Sequence, residues 1–143
     1  MSQKKRILIK QAETQAETGC SGVSAILWLT THPRGLTHVK TKIRGYANQD
    51  NKKQHKTDLN PGMILEKLVI AQGKCKYCKK RVWIKDYPAR CRVQWTLDRK
   101  DNCKGHTFDN TVIACLDCNL RRRARPYKSF LEGENLIMRK VGV

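Results

Sequence analysis

Apolar positions recur along the chain with different periods, and these divide it into elements before any chemistry is considered. Val23 to Thr30 is apolar and compatible with a buried strand or a short helix, its length and mixed composition deciding neither, and it ends at His32-Pro33-Arg34-Gly35. Thr37 to Lys56 is polar and basic, a solvated loop or a helix face, with Tyr46 able to stack on a base. Asn60-Pro61 opens a helix expected over 61–72: Asn60 can cap it, Pro61 suits its first turn, and Gly73 suits the position past its end. Ile64, Leu65, Leu68 and Val69 give that helix one apolar face.

Beyond it the period changes to two. From Cys91 to Leu97, Val93, Trp95 and Leu97 alternate with Arg92, Gln94 and Thr96, which predicts a half-buried strand with Asp98 at its end. A polar loop from Arg99 to Asn110 returns the chain to a second strand, Thr111 to Ala114. A helix then opens at Cys118 and runs to about Arg125, where Pro126 stops it; Asn119, Arg122 and Arg123 share one face, Arg121 and Arg125 another. The expected organisation is a mobile basic arm over 1–22, a basic and mainly helical extension over 23–60, an α+β domain over 61–130 and a C-terminal tail over 131–143.

Charge narrows the partner. Of 143 residues, 30 are Lys or Arg and 12 are Asp or Glu, a formal charge of +18 that a compact fold carries more easily beside a polyanion. The excess is +7 over residues 1–60 and +11 over the rest, so it is not confined to a tail. Nucleic acid is the expected partner, DNA first and RNA as the alternative; a ribosomal or membrane-associated basic surface is the competing reading. The apolar run Val23 to Leu29 is too short to span a bilayer, and Lys4-Lys5-Arg6 is followed by only three apolar residues, so no signal peptide or membrane span is expected.

Seven cysteines without a secretory leader point to reduced or metal-held thiols in a reducing compartment, cytoplasm or nucleus. Cys75-Lys76-Tyr77-Cys78 and Cys115-Leu116-Asp117-Cys118 are two C-x-x-C pairs separated by 36 residues. Two intervening residues let both thiolates of a pair reach one ion, and two pairs complete the tetrahedral shell of structural zinc. A thiol redox pair is the alternative, but it accounts for only one C-x-x-C at a time. Cys20, Cys91 and Cys103 have no such spacing and stay unassigned.

Trp95-Thr96-Leu97-Asp98-Arg99-Lys100-Asp101-Asn102, Lys104-Gly105-His106, Asp109-Asn110-Thr111-Val112 and Cys115-Leu116-Asp117-Cys118-Asn119 together resemble the HNH endonuclease family, in the L-D-R-x-D and C-x-x-C-N variant frequent in phages and large DNA viruses. The resemblance covers Cys75 to about Arg123. It implies a small zinc-centred ββα-metal domain, treble-clef-like, acting as a metal-dependent DNA endonuclease. It places Asp98 and Asn119 as ligands of a catalytic magnesium or manganese, Asn110 as the brace of the loop, and Cys75, Cys78, Cys115 and Cys118 on structural zinc. Hard oxygen donors at Asp98 and Asn119 suit such a cation.

The family's usual general base, a histidine directly after the aspartate, is replaced by Arg99, which cannot accept a proton near neutral pH and suits phosphate instead. His106, between the two C-x-x-C pairs, is the alternative base, and a loop-bracing histidine is its competing role. Arg99, Arg121, Arg122, Arg123 and Arg125 are the expected backbone clamp. The rival function is a zinc-dependent DNA- or RNA-binding module without catalysis, and a structural zinc protein of a ribosome or virion is a third.

Overall fold

The computed structural model describes residues 22–140, so all but the last residue of the expected arm, and the last three of the chain, lie outside the described residues. The element order is α1 (Val23–Thr31), α2 (Pro33–Lys52), α3 (Pro61–Ile70), β1 (Trp95–Arg99), β2 (Thr111–Cys115), α4 (Leu116–Arg122) and α5 (Tyr127–Lys140). The described residues form an α+β fold with one two-stranded antiparallel sheet.

The ambiguous first segment is helix α1, burying Ala25, Ile26 and Leu29. His32-Pro33 ends it and also starts α2: the His32 side chain accepts a hydrogen bond from the Arg34 N–H at 3.2 Å, and Pro33 fills the first turn. Helix α2 extends for 20 residues through the polar stretch. Its inward positions are Val39, Ile43, Tyr46 and Asp50, spaced four, three and four apart, which keeps them on one face. Asn60 caps α3 by accepting from Met63 N–H at 2.9 Å, and Gly73 takes the expected left-handed conformation at φ 66°.

The hairpin pairs Trp95 with Cys115, Leu97 with Ile113 and Asp98 with Val112. Strand β1 begins at Trp95, later than the alternation from Cys91 suggests, because the preceding backbone is committed elsewhere. Val93 accepts from Trp83 N–H, while Arg92 and Gln94 carbonyls accept from Asp117 and Leu116. Thr96 and Asp98 are buried together with Trp95 and Leu97, so both faces of β1 are covered.

Helix α4 starts at Leu116, two residues before Cys118, because Cys115 Sγ caps it by accepting from Cys118 N–H at 3.4 Å. It ends at Arg122, since Arg123 turns to φ 51° and stops the helix before Pro126 is reached. Residues expected as part of a tail form α5, which buries Phe130 and Glu134. Among the described residues the main apolar cluster joins α1, α2, α3, the hairpin, the four paired cysteines and Phe130, and Trp83 with Cys91 forms a smaller one. No described helix is long and apolar enough to cross a membrane.

Candidate metal and nucleic-acid site

The two C-x-x-C pairs meet. Cys75, Cys78, Cys115 and Cys118 bring their sulfurs within 4.8 Å of one another, and Cys78 and Cys115 are 4.0 Å apart. Zinc–sulfur bonds of about 2.3 Å in a tetrahedron require sulfurs about 3.8 Å apart, so the cluster fits that ion. The surroundings suit thiolates: Tyr77 N–H and Cys118 N–H donate to Cys75 and Cys115 sulfurs, and Arg121 donates to Cys118 Sγ at 3.3 Å. This cluster can hold a zinc ion. Cys91 is buried beside Trp83, and Cys103 is exposed; neither joins it.

Around the hairpin, helix α4 lies along the face of β1 that carries Thr96 and Asp98. Asn119 Nδ2 donates to Thr96 Oγ1 at 3.1 Å, and its carbonyl oxygen takes no part in that bond. Asp98 is 7 % exposed. Its Oδ2 accepts from Tyr77 Oη and from Arg122 Nη1, the latter at 2.8 Å, while Oδ1 takes part in neither contact. Asp98 and Asn119 are therefore set side by side along β1 and α4, each with one oxygen outside these bonds. Strand β1 carries the one and helix α4, which opens at the second C-x-x-C, carries the other.

Arg122, expected among the phosphate-facing arginines, lies inside at 1 % exposure. Besides Asp98, its guanidinium donates to the carbonyls of Arg99, Lys100 and Arg125, so every edge of the group is engaged in the protein. Arg99 also turns inward to the loop, donating to the Asn102 and Lys104 carbonyls at 3.4 and 3.2 Å. Arg121, Arg123 and Arg125 are exposed and with Arg92 line an open cleft of about 570 Å³, but Arg121 is paired with Asp117 at 3.0 Å and Glu134 at 2.6 Å. Asn119, Arg122 and Arg123 do not share a surface, because the helix ends between the last two.

Asn110 spans the loop: Nδ2 donates to the Asp101 and Gly105 carbonyls, both at 3.0 Å, and Oδ1 accepts from Asp101 N–H. His106, on the same loop, is 4 % exposed. Its Nδ1 is 2.9 Å from Asp50 Oδ1, its N–H donates to Asp50 Oδ2, and its ring stacks on Tyr46 with centroids 4.4 Å apart. Tyr46 in turn accepts from Leu97 N–H at 3.1 Å, which ties the histidine to β1 beside Asp98. Burial lowers the His106 pKa below the usual imidazole value, against an upward pull from Asp50. Burial pushes Asp50 up, but the hydrogen bonds from Thr57 and His106 outweigh it and hold the carboxyl below its ordinary value. Gly105 lets this contact form, because a Cβ there would stand 1.9 Å from the Lys56 carbonyl oxygen.

Asp50 and Tyr77 are the site residues that reading the sequence missed, and Tyr46, expected to stack on a base, instead stacks on His106 within the protein. Tyr77 sits within the first C-x-x-C and carried a signal only as a knuckle residue. Asp50 and Tyr46 belong to α2, whose inward stripe is spaced helically but is too polar to read as a core face.

No protein-family model matches the sequence, and no curated protein matches it. Among solved structures the chain is similar to the rare-cutting HNH restriction endonuclease PacI, with a TM-score of 0.51 and 20 % identity over 70 % of this chain and 76 % of that one. The chain thus has a small α+β, HNH-like fold built around a four-cysteine cluster that can hold zinc.

Proposed function

We propose that this protein is a metal-dependent endonuclease that hydrolyses DNA phosphodiester bonds, with RNA as the alternative substrate. The observation that carries the reading is the pair Asp98 and Asn119, each with an oxygen outside the bonds that fix its side chain. One carboxylate and one amide oxygen, with positions left for water and phosphate, suit magnesium or manganese. Such an ion would neutralise charge on the phosphorus and on the leaving oxygen.

The chain's own residues supply the rest. His106 takes the proton of the attacking water: with Nδ1–H given to Asp50, the lone pair is on Nε2, and burial keeps the ring neutral near pH 7. Arg99 cannot serve as that base and instead holds the loop that carries His106. Arg123 and Arg125 hold phosphates along the open cleft, while Arg121, which also lines it, is paired with Asp117 and Glu134. Zinc on the four cysteines anchors α4 and so positions Asn119. Such thiols persist in a reducing compartment.

One observation favours a second reading, a DNA- or RNA-binding module without catalysis. Asp98 already pairs with buried Arg122, which supplies positive charge where a metal would. Incubation with supercoiled plasmid separates the two. The nuclease reading expects nicking that requires magnesium or manganese; retarded migration with no nicking under either ion supports the binding module.

A further inference from the structure

The face of the hairpin that carries Asp98 continues into a cleft of about 430 Å³. Directly opposed residues of an antiparallel pair point to the same face, and Val112, opposite Asp98, lines this cleft. Tyr127 forms another wall. Its ring is edge-on to Tyr77 at 6.0 Å and 5.9 Å from the Arg122 guanidinium, so it packs on the two residues that bond Asp98.

The lining combines two chemistries. Five lysines, Lys67 and Lys100 among them, face it, and no carboxylate does. Phe108 and Tyr127 add aromatic rings over an apolar floor that includes Ile70 and Ile113. Lys67 is fixed, donating to the Thr111 carbonyl at 2.8 Å with its Nζ 4.2 Å from the Phe108 ring centroid. Burial and the neighbouring Lys100 lower its pKa, with Asp109, Glu66 and Asp58 pulling the other way, so an anion in the cleft relieves a repulsion already present.

Cations beside aromatic rings recognise a phosphate joined to a flat ring. The volume lies within the range of about 300–1,000 Å³ typical of ligand sites. A paired duplex keeps its rings stacked and offers the cleft only charge, whereas an unpaired nucleotide offers both. We propose that this cleft takes an unpaired DNA nucleotide next to a duplex lying along the Asp98 face of the hairpin, so that duplex with a neighbouring single strand is the preferred DNA. The inference rests on DNA being the bound partner but not on cleavage at Asp98.

The test measures fluorescence anisotropy of the zinc-loaded full chain without magnesium. It compares two labelled hairpins of equal nucleotide count, one fully paired and one ending in an oligothymidylate overhang. The overhang hairpin is expected to bind about tenfold more tightly, the scale of one base stacked on an aromatic ring. Phe108→Ala and the exposed-site variant Lys100→Glu should each bring the ratio close to one. Equal binding of both hairpins by the wild type, or a ratio retained in both cleft variants, overturns the proposal. A wild type that nicks plasmid but does not discriminate between the hairpins would sink the cleft and leave the nuclease reading intact.

Discussion

Asp50 and His106 lie 56 residues apart in the chain, yet the carboxylate holds both the ring and the backbone N–H of the histidine, Nδ1 to Oδ1 at 2.9 Å and N–H to Oδ2 at 2.8 Å. One acidic side chain from the end of α2 therefore sets the position and the tautomer of a histidine in the hairpin loop. Without that helix the loop would still be braced by Asn110, but the imidazole would lack its orienting partner.

That relationship fixes the pH dependence. His106 works as a base only when neutral, so activity should rise with pH through a value below about 6.5 and be level by neutrality. Asp50 holds the His106 pKa up by hydrogen bond and charge, so Asp50→Asn should move the rising limb to still lower pH while lowering the plateau by about tenfold or more. His106→Ala should cost about 100-fold or more. A profile unmoved in Asp50→Asn removes the orienting role. Stability follows the same signs. A buried neutral histidine with a depressed pKa and a depressed carboxyl both contribute stability that is lost as pH falls, the histidine's part first, below about 6.5, and the carboxyl's part through its own lowered value.

Gly105→Ala tests how closely loop and helix approach. A methyl 1.9 Å from the Lys56 carbonyl must displace backbone, and the loss expected from such overpacking is about 1–3 kcal/mol, read as a lower urea midpoint. An unchanged midpoint would contradict the contact.

The hairpin, the zinc knuckles and the loop were legible because they rest on short-range signals: alternation, turn residues and cysteine spacing. The four cysteines could be named for the same reason, whereas the roles given to Asp98 and Asn119 come from the family resemblance of the motifs around them. The burial of Arg122 was not legible. Its place depends on α4 ending at Arg123, whose positive φ no glycine or proline announces, and on three carbonyls brought together only by the fold. The length of α2 was obscured because its buried stripe is closed by Asp50, a residue that reads as surface until its partner across the fold is known.

Arg122 and Arg123 should therefore behave oppositely. Arg122→Ala leaves a buried carboxylate unpaired and should cost about 3–5 kcal/mol of stability, measured by denaturant unfolding. Arg123→Ala, at an exposed position, should leave stability unchanged and reduce the salt dependence of DNA affinity by about one unit of slope if it makes one phosphate contact. The reverse pattern would contradict the positions described for the two side chains.

Native mass spectrometry should find one zinc per chain. Cys118→Ser should lose that zinc and the cooperative thermal transition, because ion binding and folding share one free energy. A metal-free chain with the same melting temperature would show that the four thiols do not need an ion.

The central claim, catalysis through a metal at Asp98, is tested most directly by plasmid nicking with Asp98→Asn. Asparagine keeps a hydrogen-bonding partner for Tyr77 and Arg122, which an alanine would strip from a buried cation. It removes the one charged ligand proposed for the magnesium. The account predicts that wild type nicks supercoiled DNA only with magnesium or manganese, and that folded Asp98→Asn binds the plasmid but nicks it at least about 100-fold more slowly. Equal nicking by the two proteins, or none by the wild type with either ion, would contradict it.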